Sequence, residues 1–234
     1  MQRSDRLKLV ISFVSPCETA ADIGTDHAYV PIELVKSGIV KKAYAMDIHM
    51  GPLERAKEHI RAENLSEFIE VRQSDGLDNL CENEADAVII AGMGGELTVN
   101  ILERGKKVLE TVKELILSPH SEVFLVRKYL IENGYKIVKE KMICDAGKYY
   151  TVMKAVKAHK SREEEYEDEI YYLYGKLLIE ERDSVLKEYL VQKRRKKEQI
   201  LAGLELNSGE SARNRKAQIR READDIDRAL RKME

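Results

Sequence analysis

Apolar positions along the first 158 residues follow two rhythms. Short runs rich in aliphatic and β-branched residues predict strands: TAADI (19–23), KAYAMDI (42–48), FIEVRQS (68–74), DAVIIAG (86–92) and ELILSP (114–119). Between them PIELVKSG, GPLERAKEHIRAENL, GELTVNILERGKKVL and SEVFLVRKYLIENG place apolar side chains at helical spacing. Gly38, Asn64, Gly105 and Gly134 fall near the ends of these helices, where a left-handed cap is wanted. Alternation of this kind implies an α/β fold with a parallel sheet covered on both faces. Residues 135–156 hold two runs around Asp145-Ala146-Gly147 with no room for a helix. They predict a hairpin, so that the last strand of the mostly parallel sheet runs antiparallel.

Beyond residue 158 the pattern becomes wholly helical and proline disappears. REEEYEDEIYYLYGKLLIEE reads as one or two helices interrupted near Gly175. SVLKEYLVQKRRKKEQILAGL (184–204) and SARNRKAQIRREADDIDRALRKM (211–233) read as long helices joined by a tight reversal at Asn207-Ser208-Gly209. Ile219, Ile226, Leu230 and Met233 form a coiled-coil-like seam. Antiparallel pairing would give a rod of about 30 Å, from roughly 20 residues at ~1.5 Å each; the competing reading is a solvated tail without a partner. The expected domains are 1–158 and 159–234.

Composition narrows the partners. A hydrophobic fraction of 43% supports a buried core, and a net charge of −2 provides no global field toward nucleic acid. A local basic patch suffices for RNA, however. Cys17, Cys81 and Cys144 are odd in number and scattered, which reads as buried small hydrophobes in a reducing compartment, with neither disulfide nor metal. No signal-peptide pattern fits MQRSDRLKLVISFV, and no run approaches the roughly 20 apolar residues of a membrane span. The expectation is a cytoplasmic protein with no membrane partner, monomeric rather than oligomeric.

Candidate chemistry lies at the strand ends, where ligands bind in open α/β sheets. The first strand is followed by Asp22, Gly24 and Asp26, the second by Asp47 and Ile48, the third by Ser74-Asp75-Gly76, and the fourth by Ala91-Gly92-Met93-Gly94-Gly95. Asp47 lies 23 residues after Gly24, the offset of an acid that binds both ribose hydroxyls of a nucleoside cofactor. The first turn has one glycine where a dinucleotide fold wants three, and its carboxylates would repel a pyrophosphate. They suit S-adenosylmethionine, which has no phosphate and carries an ammonium, a sulfonium and two ribose hydroxyls. Asp75 is then placed to accept from the adenine amino group. A lone Asp after a strand is usually a turn residue; acids after three successive strands are a stronger pattern.

These segments together resemble a known family. ADIGTDHAYVP, Asp47-Ile48-His49-Met50-Gly51-Pro52, RQSDGL, IIAGMGGELTVNIL, LILSP and GKYYTV are similar to bacterial tRNA (adenine-22-N1)-methyltransferases over about residues 3–156. The resemblance implies a class I Rossmann-like methyltransferase fold, S-adenosylmethionine as donor, and tRNA as acceptor at N1 of an adenine in the D-arm region. It also implies a coiled-coil C-terminal domain. By position, Asp22, Gly24 and Asp26 match the first cofactor motif, Asp47 the ribose contact, and Asp75 and Gly76 the adenine contact. Ala91 to Gly95 match the loop under the methyl group, and His27, Ile48, Ala91 and Gly92 complete the candidate cofactor set.

Adenine N1 already carries an in-plane lone pair, so methyl transfer there needs positioning rather than a strong base. The base must be unpaired or flipped out. Asp26, Met93 and Gly94 are the candidate catalytic group: Asp26 for the charge that develops on the base or for cofactor positioning, Met93 and Gly94 as a close-approach surface for a flat ring. The D/N-P-P-aromatic tetrapeptide of exocyclic amino methylation is absent. His27 reads either as a helix cap or as a substrate contact, and Tyr29 as core or as a stacking platform. Of Tyr149 and Tyr150, one should face inward. Lys193, Arg194, Arg195, Lys196 and Lys197, with Arg213, Arg215, Lys216, Arg220 and Arg221, form either a solvated face or a phosphate-tracking surface. Arg3 and Arg6 are further candidates for RNA. Two other functions stay open: methylation of another RNA or a small heterocycle, and RNA binding without catalysis.

Overall fold

The five apolar runs become the parallel strands of one sheet. The computed structural model describes residues 4–158, 166–204 and 209–234. Two compact units divide the chain, Met1–Glu165 and Tyr166–Glu234. The domain boundary expected after residue 158 adjoins residues 159–165, which lie outside the described residues, as does most of the reversal at Asn207-Ser208-Gly209.

In the first unit β1 (Cys17–Ile23), β2 (Val40–Asp47), β3 (Ile69–Gln73), β4 (Ala87–Ala91) and β5 (Glu114–Ser118) are parallel, and β6 (Tyr135–Asp145) and β7 (Lys148–Lys157) form the hairpin. The sheet order is β3-β2-β1-β4-β5-β7-β6. The antiparallel strand β7 is inserted beside β5, which leaves β6 at the edge. β4 and the centre of β5 are apolar because both of their faces are covered; Val88, Ile89, Ile90, Ile116 and Leu117 have no exposed surface. Edge strand β6 instead alternates buried and exposed positions, with a register shift between Ile137 and Lys139. Its turn places Ala146 and Gly147 at φ 49° and 75°, the twist a two-residue hairpin needs.

The helices α2 (Tyr29–Lys36), α3 (Met50–Ala62), α4 (Gly95–Arg104) and α6 (Val123–Glu132) occupy the predicted segments. A short α5 (Lys106–Leu109) continues α4 beyond Gly105. Gly38, Asn64 and Gly134 adopt the left-handed caps expected of them, but Gly105 does not: its φ is −83°. Glycine is required there by crowding, since a Cβ would meet Leu77 Cδ1 at 2.3 Å. An additional helix, α1 (Asp5–Ile11), precedes the sheet, capped by the Ser4 hydroxyl accepting from the Leu7 N–H. Its apolar face buries Val10 and Ile11 in the core around Leu34, Ile89 and Val152.

The second unit contains α7 (Glu169–Tyr174), α8 (Lys176–Glu180), α9 (Ser184–Leu204) and α10 (Glu210–Lys232), with α7 and α8 separated at Gly175, φ 93°. Ion pairs Arg194–Asp227 and Lys197–Glu222 fix α9 and α10 antiparallel. The seam on α10 consists of Ile219, Ala223, Ile226, Ala229 and Met233; Leu230 is only half-buried, and Ala229 occupies the fully buried place. Asp168 caps α7 and receives Arg228 at 2.7 Å. No helix among the described residues is long and apolar enough to cross a membrane. All three cysteines are free, and Cys81 and Cys144 are exposed rather than the buried hydrophobes expected, because both fall on loops or edges outside the core.

Candidate active site

Strand order reverses at β1, which lies between β2 and β4, so a crevice opens at the carboxyl ends of these strands. The acids singled out from the sequence converge there but differ in their surroundings. Asp22, one residue before the end of β1, is buried. Loss of water pushes its carboxyl up to about 6; the Thr25 hydroxyl eases this and the charge of Asp47 adds to it. Thr25 Oγ1 is itself short of hydrogen-bond geometry to any partner. The backbone N–H groups of Gly24 and Thr25 both donate to the Met46 carbonyl at 2.8 Å, tying the turn to β2. Gly24 sits at φ +77°, and the Met93 methyl would fall 2.1 Å from a Cβ added to it. The β1 turn and the β4 loop therefore touch at Gly24, where the left-handed backbone favours glycine and the Met93 tip takes the space of a side chain.

Asp26 points elsewhere. It is exposed, and pairs with Arg55 of α3 at 2.9 Å and with His27 Nε2 at 3.5 Å. His27 and Ala28 are both left-handed, at φ 61° and 55°. Ala28, not His27, is the cap residue of α2. The His27 ring stacks on Tyr29 at 5.3 Å and on His59 of α3 at 5.0 Å, the latter two rings lying 5.5 Å apart so that the three form one cluster. His59 Nδ1 lies 3.1 Å from the His27 carbonyl.

At the end of β2, Asp47 Oδ1 accepts the His49 N–H at 2.7 Å, and Ile48 leaves about half its surface (48%) in solvent. Asp75 is exposed, and its Oδ2 accepts from Arg104 of α4 at 2.8 Å. Gly76 is left-handed, φ +59°, against Ile101.

After β4, Ala91 and Gly92 lead into the loop. Gly92, φ +89°, donates its N–H to the Ser118 carbonyl at 3.0 Å. Met93 accepts from the His120 N–H at 3.0 Å, and Gly94 caps α4. Gly95 is the tightest position, because a Cβ there would lie 2.4 Å from the Glu122 carbonyl oxygen. Three buried side-chain atoms with no hydrogen-bond partner, Thr25 Oγ1, His27 Nδ1 and Ser118 Oγ, all lie beyond or at the ends of β1 and β5. Buried polar atoms are normally paired, so these are the atoms a ligand in the crevice could satisfy. Acids, glycine turns and exposed Ile48 fit a cationic nucleoside without phosphate. No group of three or more His, Cys, Asp or Glu among the described residues could hold a metal ion.

Of the RNA candidates, Arg194 and Lys197 face α10 and are matched by Asp227 and Glu222. Lys193 lies over the Tyr189 and Tyr174 rings at 5.1 and 5.9 Å. Lys216 is half-buried, while Arg195, Lys196, Arg213, Arg215, Arg220 and Arg221 are exposed. Tyr149 and Tyr150 are both half-buried, so neither is fully inward. Arg3 lies outside the described residues. Arg6 is found at the crevice itself, where its guanidinium nitrogens lie 3.5 and 3.6 Å from the Cβ position of Gly92. Sequence reasoning missed Ser118, for which an SP dipeptide after a strand is no distinctive signal.

Residues 3–153 match the family described as "Methyltransferase domain". A Bacillus subtilis tRNA (adenine(22)-N(1))-methyltransferase is 38% identical over 155 residues, 66% of this chain and 65% of that protein's own length. The crystal structure of the B. subtilis m1A22 tRNA methyltransferase TrmK superposes with a TM-score of 0.87 at 30% identity, covering 98% of this chain and 99% of that one. M. capricolum TrmK, solved with the cofactor product S-adenosyl-homocysteine, gives 0.86 at 26% identity over the whole of both chains. By motif and by full-length fold, the chain belongs to the methyltransferase-domain family and, within it, to the bacterial tRNA (adenine-22-N1)-methyltransferase family.

Proposed function

We propose that the chain is an S-adenosylmethionine-dependent methyltransferase that modifies N1 of adenine 22 in the D-arm region of tRNA. The observation that carries this reading is the end-to-end likeness to the B. subtilis enzyme, at 30% identity over 98% of the chain. The acid-lined, phosphate-averse crevice agrees with it independently. When bound, S-adenosylmethionine supplies a methyl group on a cationic sulfur. Asp22 and Asp47 are the residues that would hold its ammonium and ribose hydroxyls, Asp75 and Gly76 its adenine edge, and Ile48 its apolar ring face. Charge on Asp75 is tempered by Arg104, which suits a neutral adenine better than a cation.

The chain's remaining residues position the acceptor. The Gly92–Gly94 loop admits a flat ring close to backbone, and Met93 closes the space over Gly24. No general base is needed for an N1 lone pair, and exposed Asp26, engaged by Arg55, serves better to fix the turn than to meet charge on the base. Arg195, Lys196, Arg213 and Arg220 are free to follow phosphates, and Lys193 and Lys216 flank them; Arg194 and Lys197 instead hold α9 to α10.

Unmodified tRNA incubated with the protein and labelled S-adenosylmethionine takes up label, with a reverse-transcription stop at one D-arm adenine. Label confined to protein or small molecules overturns the tRNA assignment.

A further inference from the structure

Arg6 comes from the other end of the first unit and meets the crevice from α1. Its Cζ lies 4.9 Å above the Tyr150 ring, and its backbone N–H donates to Asp145 Oδ2 at 3.3 Å. The guanidinium rests against Gly92, whose missing side chain makes the approach possible. These contacts share one edge of the sheet. Gly92 follows β4, and β7 runs antiparallel to β5 with Met153 beside Leu117, which carries Tyr150 past the Ser118 end. Four of the six described arginines of the first unit are neutralised: Arg55 by Asp26, Arg72 by Glu84, Arg104 by Asp75 and Arg127 by Glu140. Arg6 is half-buried, and among the described residues no carboxylate reaches its guanidinium. Asp145, the acid nearest in the contacts above, is engaged with its backbone instead.

A half-buried cation without a counter-ion, beside a methyl-transfer loop, asks for an anion. The acceptor ring is the wrong partner, because N1 gains positive charge as the methyl arrives and a guanidinium there would oppose it. A phosphodiester is the right one. A nucleotide flipped into the crevice brings its flanking phosphate to the rim, and a planar fork stacked on an aromatic face is preorganised to bind it with two parallel hydrogen bonds. We propose that Arg6, braced on Tyr150 against Gly92, binds the backbone phosphate next to the target adenosine and so positions the flipped nucleotide. This rests on the RNA methyltransferase reading above, and it gives Arg6 a place at the reacting nucleotide rather than on a general RNA surface.

The test uses the full-length chain, unmodified tRNA and S-adenosylmethionine. Arg6→Gln raises the KM for tRNA about tenfold and lowers the slope of log KM against log salt by about 0.7–0.9, the signature of one lost phosphate contact. Cofactor affinity, measured by calorimetry, stays at the wild-type value and reports an intact fold. Arg6→Lys recovers part of the loss. Tyr150→Leu, which removes the ring under the guanidinium, follows Arg6→Gln, and Tyr150→Phe, which keeps the ring, loses less than Tyr150→Leu. An unchanged salt slope in Arg6→Gln, or a matching fall in cofactor affinity, overturns the phosphate role. Wild-type protein that leaves tRNA unlabelled overturns the reading beneath it; labelled tRNA with unaltered Arg6→Gln kinetics overturns this inference alone.

Discussion

At the scale of single residues, the crevice holds a group that the fold keeps at a cost. Burial raises Asp22 to about 6, from an ordinary aspartate value of about 3.9. Between those values the folded chain binds a proton that the unfolded chain has released, so this group's contribution to stability falls as pH rises through the window and is level above it. Two pH units correspond to roughly 3 kcal/mol. The difference in unfolding free energy between Asp22→Asn and wild type, both without cofactor, should therefore grow in the variant's favour from pH 4 to pH 6 and then plateau, read by urea titration. A difference independent of pH would refute the raised value. Cofactor affinity moves the opposite way. A cation beside Asp22 needs the carboxylate, so wild-type binding weakens by up to about tenfold per pH unit below 6, and Asp22→Asn binds weakly at every pH. The glycines separate along the same lines. Gly95→Ala pushes a methyl into the Glu122 backbone and should cost about 1–3 kcal/mol. Gly24→Ala meets the movable tip of Met93 and a positive φ, which costs about 1 kcal/mol. Thermal unfolding should rank Gly95→Ala as the worse, and cofactor binding should rank Gly24→Ala as the worse.

At the scale of elements, the α9–α10 pair sorts its basic residues by face. Arg194 and Lys197 meet Asp227 and Glu222 across the seam; Arg195 and Lys196, one helical step away, meet solvent. Exposed or half-exposed pairs contribute about 0–1 kcal/mol. Arg194→Ala with Lys197→Ala should lower stability by that little and leave most tRNA affinity in place. Arg195→Glu with Lys196→Glu should leave the melting temperature unchanged, weaken tRNA binding and flatten its salt dependence, as filter binding at several salt concentrations would record. Equal losses from both doubles would mean that the face does not matter. The sequence reading treated these residues as one cluster because adjacency along a chain says nothing about which side of a helix each one takes until the partner helix is placed. Helices and strands themselves were legible wherever a period was long enough to count. The seven residues of α1 were not, since DRLKLVI spans under two turns, too few to show a helical period. The position of Gly105 suggests a cap, whereas its reason is the Leu77 side chain, a contact set by tertiary packing.

At the scale of the whole molecule, the same distinction explains what the site disclosed. Asp22, Asp47 and Asp75 could be found from sequence because each sits at or just past the carboxyl end of its own strand, and these strand ends share an edge in any parallel sheet. Arg6, Gly92 and Tyr150 come from the first helix, the fourth strand end and the last strand, and only the insertion of β7 beside β5 brings them together. Charge is likewise arranged rather than accumulated: the chain as a whole carries −2, yet ten basic and only three acidic residues lie between Lys193 and Arg221. The candidate cofactor residues thus belong to one compact unit and the basic stretch to the other. A ligand that binds only the folded form of the first unit stabilises that unit by about 2.7 kcal/mol at a hundredfold excess over Kd. For a unit of this size that is a rise of roughly 5–10 °C in its melting temperature. Scanning calorimetry with S-adenosyl-homocysteine should therefore raise one transition by that amount and leave a second, belonging to residues 166–234, where it was. A single transition that moves as a whole would show instead that the two units unfold together, and that cofactor binding is felt by the helices that carry the basic face.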